Sequence, residues 1–249
     1  MKKVIIIGAG ISGLSAGIFA RESGFDAEIF EMHAIPGGEC TGWSRKGYHF
    51  DNCIHWLTGT SSEKELYNVW KELGAFEGIN IYHSDYFYAY NKAGKTLYMY
   101  RDLERLEKHL LEISIEDKDT IREFVTLIEK FKVVQMPVKK PMDMLNVIDY
   151  ISLGKQYKDV GKDLASLNKI SVKEYSTRFK SELIREGLIS YFPEHFTATA
   201  LFASVGDIAS GNGGWPMGGS LKMSLRIADK FKALGGKVKY STFPPRKAA

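Results

Sequence analysis

The segment VIIIGAGISG at residues 4–13 constrains the fold of this chain more than any other feature. Val4–Ile7 is a short, continuous run of β-branched residues, which is typical of a strand buried on both faces of a parallel sheet. Gly8, Gly10 and Gly13 follow in the spacing G-x-G-x-x-G. In a dinucleotide-binding unit the first glycine permits the tight turn, the second lets the backbone approach a pyrophosphate, and the third lets the helix pack closely. The segment therefore predicts an α/β, Rossmann-like domain with a parallel sheet.

The elements that follow fit the same unit. Ile11–Glu22 has the apolar spacing of a helix, and the amides of its first turn, including those of Ile11 and Ser12, are expected to bind phosphate together with the helix dipole. Ala27–Glu31 predicts the second strand. Glu31 follows the first glycine at close to the roughly 20 residues expected for the carboxylate that binds the adenosine ribose. A carboxylate at this position also repels a 2′-phosphate, which disfavours NADP.

The residues after the second strand bear on whether the dinucleotide is FAD or NAD. An NAD dehydrogenase normally continues with another crossover helix. Here residues 32–60 contain Pro36 and several glycines, which leave no room for a helix of ordinary length. The Gly37–Gly38 pair suits a backbone that passes very close to a cofactor. The sequence thus favours FAD, with an NAD dehydrogenase as the alternative.

Four motifs resemble flavoproteins of the phytoene desaturase, carotenoid isomerase and retinol saturase group, within the flavin amine oxidase superfamily. The motifs are GAGISGLSAG, IFEMHAIPGG, GYHFDNCIHWLTG and GGWPMGGSLKMSLRIADKFKALGGKVKYST. The resemblance implies that the first motif holds the FAD diphosphate, that the glutamate holds the ribose, and that the glycine pair runs along the cofactor. It also implies that the third motif reaches toward the isoalloxazine ring. The candidate cofactor-binding residues are Gly8, Gly10, Ile11, Ser12, Gly13, Glu31, Met32, Gly37, Gly38, Ile54, His55 and Trp56.

The resemblance includes the last of the four motifs, but this chain departs from the family pattern at the position after the glycine pair. It implies that Trp215, Gly218 and Gly219 approach the cofactor, although a purely structural role as a loop and helix N-cap is equally open. Many relatives carry an arginine directly after the glycine pair, where this chain has glutamate. Either Arg45 or Lys46 replaces that cation from a distance, or the contact is absent.

The remainder of the chain predicts an inserted domain. We expect residues 1–75 and 205–249 to form the FAD-binding domain and residues 76–204 an inserted α+β substrate or lid domain. The inserted region contains a hairpin pattern at Tyr86–Tyr100 followed by helical periodicity. In the resembled group this region lies over the flavin and admits long apolar substrates, so its tyrosines either line a cavity or, as we favour, form cross-strand pairs.

Two capping boxes are also predicted, with Ser62 paired to Glu65 and Ser171 paired to Glu174. Proteins of the resembled group are substantially longer and return to the flavin with a late glycine-containing motif. From this resemblance we expect the C-terminal part of the family fold to be missing.

Composition excludes several other classes of function. The formal net charge of +4 comes from lysines and arginines interleaved with acidic residues, which indicates a solvated surface rather than a nucleic-acid interface. The histidines show no metal-ligating spacing, so no metal is expected. Only Cys40 and Cys53 are present; we expect a cytoplasmic chain with two thiols, and a bridge between them stays open because their spacing gives no geometry.

Contacts with membranes and other chains are less constrained. No run of about 18 apolar residues predicts a membrane span. The segment Met136–Lys162 mixes methionine, proline and lysine with apolar residues, so peripheral contact with a lipid surface is open, with adaptable packing the more ordinary interpretation. Homo-oligomerisation is also open.

The sequence supports one main functional hypothesis. We expect a FAD-dependent oxidoreductase that transfers hydride between flavin N5 and an apolar substrate, polyene or lipid-like. The alternatives are a redox-neutral flavin-dependent isomerase and a truncated, catalytically inactive dinucleotide-binding fragment. The sequence identifies no catalytic acid or base.

Overall fold

The computed structural model describes residues 2–135, 138 and 140–242. These residues form two compact units. The first contains the described residues up to Tyr82 and those from Gly214 onward, and the second contains His83–Gly213. Both boundaries fall later than the sequence-based ones at residues 75 and 204. The second boundary moves because residue 204 lies inside a helix, Ala198–Ala209, that packs in the core of the second unit.

The secondary structure elements are numbered in chain order. The strands are β1 Lys3–Ile7, β2 Asp26–Phe30, β3 Gly42–Arg45, β4 Tyr48–Asp51, β5 Ile81–Tyr82, β6 Tyr86–Lys92, β7 Lys95–Tyr100, β8 Trp215–Pro216 and β9 Lys237–Lys239. The α-helices are α1 Ile11–Glu22, α2 Glu65–Glu72, α3 Leu103–Ile113, α4 Lys118–Phe131, α5 Val147–Gln156, α6 Gly161–Leu167, α7 Val172–Ser176, α8 Glu182–Tyr191, α9 Ala198–Ala209 and α10 Gly219–Ala233. Two short 3₁₀ helices cover Ile115–Asp117 and Met142–Met144.

The first unit is built on a parallel sheet in which β2 lies between β1 and β9. Helices α1 and α10 pack against one face of the sheet. Leu14 and Ile18 of α1, Ile29 of β2 and Phe231 of α10 are fully buried there. The predicted Rossmann-like fold and its first helix are confirmed, and the chain returns to the sheet at Lys237–Lys239.

The opposite face of the sheet corrects one expectation. Strand β1 was predicted to be buried on both faces, but Ile5 is 61% exposed and Ile7 is 68% exposed. Among the described residues, β1 lies at an edge of the sheet. The same face carries an ion triad. The Glu28 carboxylate of β2 forms ion pairs with the ammonium groups of Lys3 of β1 at 3.1 Å and Lys239 of β9 at 2.9 Å. This face is therefore polar in the middle and apolar along β1.

The segment after β2 contains a hairpin instead of a helix. Strands β3 and β4 pair antiparallel through a two-residue turn, Lys46–Gly47, in which both residues have positive φ, at 51° and 81°. That combination is typical of the type I′ hairpin turn. The prediction that residues 32–60 contain no helix of ordinary length is confirmed.

Helix α2 differs from its prediction at the N-terminus. A turn closed by the Lys64 amide on the Ser61 carbonyl precedes the helix, and Lys64 becomes the N-cap without a side-chain cap. The expected capping box between Ser62 and Glu65 is therefore wrong. The helix ends at Glu72, and Gly74 follows its C-cap residue Leu73 with a φ of 75°.

The second unit combines one hairpin with helices α3 to α9. Its core contains Phe124 and Phe131 of α4, Tyr175 of α7 and Phe202 of α9. Strands β6 and β7 form the predicted hairpin, and the capping box at Ser171 of α7 has both of its hydrogen bonds. Several of the tyrosines make cross-strand or inter-element ring contacts, namely Tyr86 with Tyr98 and Tyr100, and Tyr88 with Tyr191.

Substitution of Phe231 tests the packing of the first unit. Its ring is fully buried and lies against Gly17 of α1, where an added Cβ would approach it to 2.8 Å. We expect Phe231→Ala to lower the free energy of unfolding by about 3–5 kcal/mol, because it removes buried surface and leaves a cavity. Phe19→Ala, at a position on α1 that is 40% exposed, is the matched control and should change it by about 0.5 kcal/mol. Denaturant unfolding measures both, and equal losses would contradict this packing.

Candidate functional site

The first glycine loop has the geometry that each glycine was expected to provide. Gly8 has a φ of 96°, a conformation that side chains with a Cβ rarely adopt. A Cβ on Gly13 would lie 2.0 Å from the Gly8 carbonyl oxygen, so only glycine permits this close approach of helix and turn. A Cβ on Gly10 would meet nothing nearer than the Gly37 carbonyl oxygen at 4.0 Å. The space in front of Gly10 is thus not filled by these residues.

The N-terminus of α1 follows directly on this loop. Gly10 is the N-cap residue and provides no side-chain cap, and the first intrahelical bond runs from the Leu14 amide to the Gly10 carbonyl. The amides of Ile11, Ser12 and Gly13 come before this first bond, and the first amides of a helix have no acceptor within the helix. Ser12 is exposed and Ile11 half-buried. Such an uncapped terminus favours an anion.

Glu31 is held at the end of β2 by backbone groups. Its carboxylate is only 4% exposed. One of its oxygens accepts a hydrogen bond from the Ala9 amide at 2.6 Å, and the other accepts one from the His33 amide at 2.8 Å. Because a carboxylate has roughly four acceptor positions, the two bonds leave capacity for ribose hydroxyls. Met32, the next residue, is exposed.

The Gly37–Gly38 segment runs beside the first loop. The Gly37 amide donates to the Ala9 carbonyl at 2.8 Å, and Gly10 and Gly37 form a parallel bridge. Both glycines of the pair have positive φ, at 119° and 59°. A Cβ on Gly37 would lie 2.5 Å from the Cys40 carbonyl oxygen. The structure therefore brings the two glycine motifs together, as their expected shared ligand requires.

Asp51, at the end of β4, is a residue that the sequence analysis missed. One oxygen of its carboxylate accepts hydrogen bonds from the amides of Cys53 and Ile54, each at 3.1 Å. The other oxygen accepts the Ser220 amide at 2.7 Å, at the start of α10. The Ser220 hydroxyl also bonds this carboxylate and in turn accepts the Ile54 amide at 3.0 Å. Asp51 thus joins the segment before Ile54 to the N-terminus of α10.

The electrostatics of Asp51 follow from these contacts. Burial acts to raise the pKa of its carboxyl, but the hydrogen bonds from Ser220, Cys53 and Ile54 outweigh burial and lower the pKa. Gly219 is needed beside it, because an added Cβ would lie 2.1 Å from the carboxylate. An acidic residue shortly before the HW pair was the available sequence signal, but only the fold reveals that its partner is 169 residues away.

The remaining candidates divide into two groups. Ile54 is buried in the same apolar cluster as Ala9 and Cys40. His55 is exposed and Trp56 is half-buried, outside that cluster. Trp215 lies in β8, paired with Tyr82 of β5. The structure thus brings the glycine loops and Glu31 together and buries Ile54 in the apolar cluster beside them. Cofactor binding by these residues, as by His55 and Trp56, stays a prediction.

The two cations considered as replacements lie in the β3–β4 hairpin. Arg45 ends β3 and Lys46 is in the turn, at the end of the hairpin opposite to Gly42. The Cα atoms of Gly42 and Arg45 are three strand steps apart, a distance of about 10 Å. Whether Arg45 or Lys46 replaces the arginine of the relatives stays a prediction.

Comparison with known proteins agrees with this geometry. Residues 6–73 match the NAD(P)-binding Rossmann-like domain family. The matched range includes both glycine motifs, Glu31 and the β3–β4 hairpin. This part of the chain is therefore similar to that family and has a Rossmann-like fold.

Curated relatives extend the likeness beyond that range. The chain is 22% identical over 244 residues to a lycopene-forming phytoene desaturase of Paracoccus, covering 95% of this chain and 47% of that protein. It is 26% identical over 133 residues to a 4,4′-diaponeurosporene oxygenase of Staphylococcus haemolyticus, covering 52% and 26%. It is also 41% identical over 51 residues to a 1-hydroxycarotenoid 3,4-desaturase of Flavobacterium, covering 20% and 10%. The resemblance to the phytoene desaturase group is confirmed, and the chain spans about half or less of the length of these relatives.

Solved structures share the fold. An oxidoreductase from Methanosarcina mazei superposes with a TM-score of 0.53 at 19% identity, over 97% of this chain and 51% of that one. A putrescine oxidase superposes with a TM-score of 0.54 at 18% identity, over 96% and 51%. At these identities the comparison establishes the fold.

The contacts of Asp51 predict the effect of removing its charge. We expect Asp51→Asn to lower the free energy of unfolding at pH 7 by about 2 kcal/mol. The neutral amide loses the charge-assisted hydrogen bonds, and its NH₂ group is a donor that faces the N–H donors of the neighbouring backbone. Since the folded-state pKa is lowered, the stabilisation exists above the ordinary aspartate pKa of about 4 and is lost as the pH falls through the folded value. The difference between wild type and variant should therefore shrink in acid.

Unfolding of both proteins between neutral pH and acid measures this effect. Asp26→Asn is the control, because that carboxylate is half exposed and forms an ion pair with Arg21. Its loss should stay below about 1 kcal/mol. Equal losses for the two variants, or a difference that does not change with pH, would contradict the role given to Asp51.

Proposed function

We propose that this chain binds FAD and acts as an oxidoreductase that transfers hydride between flavin N5 and an apolar, polyene or lipid-like substrate. The observation that carries the proposal is the backbone contact between the two glycine motifs, in which the Gly37 amide donates to the Ala9 carbonyl and Gly37 bridges Gly10. An NAD dehydrogenase would place a crossover helix after β2, whereas here the chain returns to the first loop.

The described residues fit the ADP half of such a cofactor. The amides at the start of α1 provide donors for the diphosphate, and the open space at Gly10 allows it to approach the backbone. The Glu31 carboxylate keeps acceptor capacity for the ribose hydroxyls and repels a 2′-phosphate. When bound, the flavin would supply the redox chemistry, and the protein would bind and orient it.

The substrate class rests on the named relatives. The proteins similar to this chain are a phytoene desaturase, a hydroxycarotenoid desaturase and a diaponeurosporene oxygenase. The first two names describe desaturation of carotenoids, which removes hydride equivalents from carbon. We extend that class of substrate, a long apolar polyene, to this chain. A redox-neutral isomerase would differ by leaving the flavin spectrum unchanged while the product is isomerised.

Gly10→Ala tests the cofactor assignment. Gly10 has a φ of −69°, which alanine adopts readily, and its Cβ would point into space that these residues leave open. We expect the variant to fold normally and to bind FAD at least about tenfold more weakly, because the Cβ occupies the diphosphate position. Fluorescence titration with FAD measures the affinity. Gly154→Ala is the control, since that helical glycine also accepts a Cβ without a contact within 4 Å.

Three results would contradict parts of the proposal. Tighter binding of NADH than of FAD would favour the NAD dehydrogenase instead. Equal FAD affinity for wild type and Gly10→Ala would remove the diphosphate from this loop. A chain that binds FAD but is not reduced by polyenes under anaerobic conditions would contradict the proposed reaction.

We also propose that the second unit contacts a lipid surface through α5 and the 3₁₀ turn before it. Six apolar residues of residues 142–151 are exposed: Met142, Met144, Val147, Ile148, Tyr150 and Ile151. Lys155 and Lys158 are exposed close by, and Lys140 pairs with Asp149. Apolar side chains flanked by lysines match an anionic membrane surface. No helix in the described part of the chain is long and apolar enough to span a membrane.

Vesicle binding tests this contact. We expect the double variant Ile148→Ser and Ile151→Ser to bind vesicles of phosphatidylcholine and phosphatidylglycerol at least about tenfold more weakly than wild type. Each change removes apolar groups that would be buried in the lipid on binding. Sedimentation with the vesicles measures binding. Ile115→Ser is the control, because Ile115 is a single exposed isoleucine outside this segment. Equal binding by all three proteins would contradict the proposal.

A further inference from the structure

The β3–β4 hairpin brings the two cysteines of the chain close together. The paired strands end at Gly42 and Asp51. One more backbone hydrogen bond joins the two segments, from the Asn52 amide to the Thr41 carbonyl at 3.0 Å. The ladder ends there, because the Thr41 amide donates to the Glu39 carbonyl, and Cys40 and Cys53 are the next residues on the two segments.

The positions suit a disulfide. Thr41 and Asn52 are joined by a backbone hydrogen bond, and each cysteine is the chain neighbour of one of these two residues. The Cys53 thiol is near enough to interact with the Cys40 thiol. A disulfide accepts Cα separations of about 4.4–6.8 Å, a range that neighbours of a cross-strand pair can reach. The proximity that the spacing in the sequence left open is therefore supplied by the end of the hairpin.

The two thiols differ in their surroundings. Cys40 is 7% exposed, and its thiol donates to the Ser220 carbonyl at 3.7 Å. Cys53 is exposed. Burial raises the pKa of the Cys40 thiol, and the neighbouring Cys53 thiol raises it further. The Cys53 thiol is thus accessible to a reagent in solution, while the Cys40 thiol is buried.

We propose that Cys40 and Cys53 form a reversible disulfide by exchange with a small-molecule disulfide such as oxidised glutathione. The Cys53 thiolate attacks the reagent and releases one glutathione thiolate, which leaves a mixed disulfide on Cys53. The Cys40 thiolate then attacks the Cys53 sulfur and releases the second glutathione. The two cysteines are oxidised, the reagent is reduced to two thiols, and two protons leave the cysteines.

The bridge has a consequence for the glycine pair. Cys40 follows Gly38 by two residues, and Cys53 immediately precedes Ile54. A covalent bond between them ties together two segments that the proposed function places along the cofactor. This part of the inference rests on that proposed function: oxidation should slow FAD release, because the loop beside the cofactor can no longer open.

Mass spectrometry of the folded chain after incubation with oxidised glutathione tests the bridge. The wild type should pass through a glutathione adduct and end with the mass loss of two hydrogens, and peptide mapping should join Cys40 to Cys53. Cys40→Ser should stop at the adduct. Cys53→Ser, a change at an exposed position, should form no internal bridge. A wild type that stops at the adduct, or that forms linked dimers instead, would overturn the proposal.

FAD dissociation from the reduced and the oxidised wild type tests the consequence. We expect severalfold slower release from the oxidised chain and recovery of the faster rate after reduction with dithiothreitol. Equal rates would overturn the coupling to the cofactor while leaving the bridge established by mass spectrometry. Absence of FAD binding in both redox states would instead contradict the proposed function.

Discussion

The candidate dinucleotide site depends on the parallel pairing of β2 with a strand on each side. This pairing sets the carboxyl ends of β1 and β2 side by side, so that the loop after β1 and the acid after β2 face the same edge of the sheet. Ligands of open parallel sheets bind at that edge. The contact between the Glu31 carboxylate and the Ala9 amide at 2.6 Å is the direct product of this arrangement. The Gly37–Gly38 segment joins the same edge, because the Gly37 amide donates to the Ala9 carbonyl.

A second layer of organisation comes from helix α10, which is distant in sequence. Its first turn binds the protein's own carboxylate, Asp51, so that the segment before Ile54 is fixed without a ligand. The Ser224 hydroxyl on the same helix donates to the Cys40 carbonyl at 2.6 Å. Two segments expected to face the cofactor are thus held by hydrogen bonds to one helix.

Local signals in the sequence predicted most of the fold and part of the site. The glycine spacing, the helix after it, the β6–β7 hairpin and the capping box at Ser171 depend on neighbouring residues, and the structure confirms each. The capping box at Ser62 was wrong because a preceding turn shifted the helix start, an outcome that the residues alone do not determine. Burial of β1 was wrong because burial depends on which elements cover the sheet. The role of Asp51 required a contact across 169 residues, which no local pattern contains.

The ion triad on the open face of the sheet has a consequence for how accurately the site is assembled. Side chains of a strand alternate between faces, so a slip of one residue would move every side chain of β2 to the other face. Such a slip would separate Glu28 from Lys3 and Lys239, and it would turn the Glu31 carboxylate away from Ala9. The triad therefore favours the register that keeps the Glu31 carboxylate beside the Ala9 amide. Ion pairs outside the candidate site thus help to position its carboxylate.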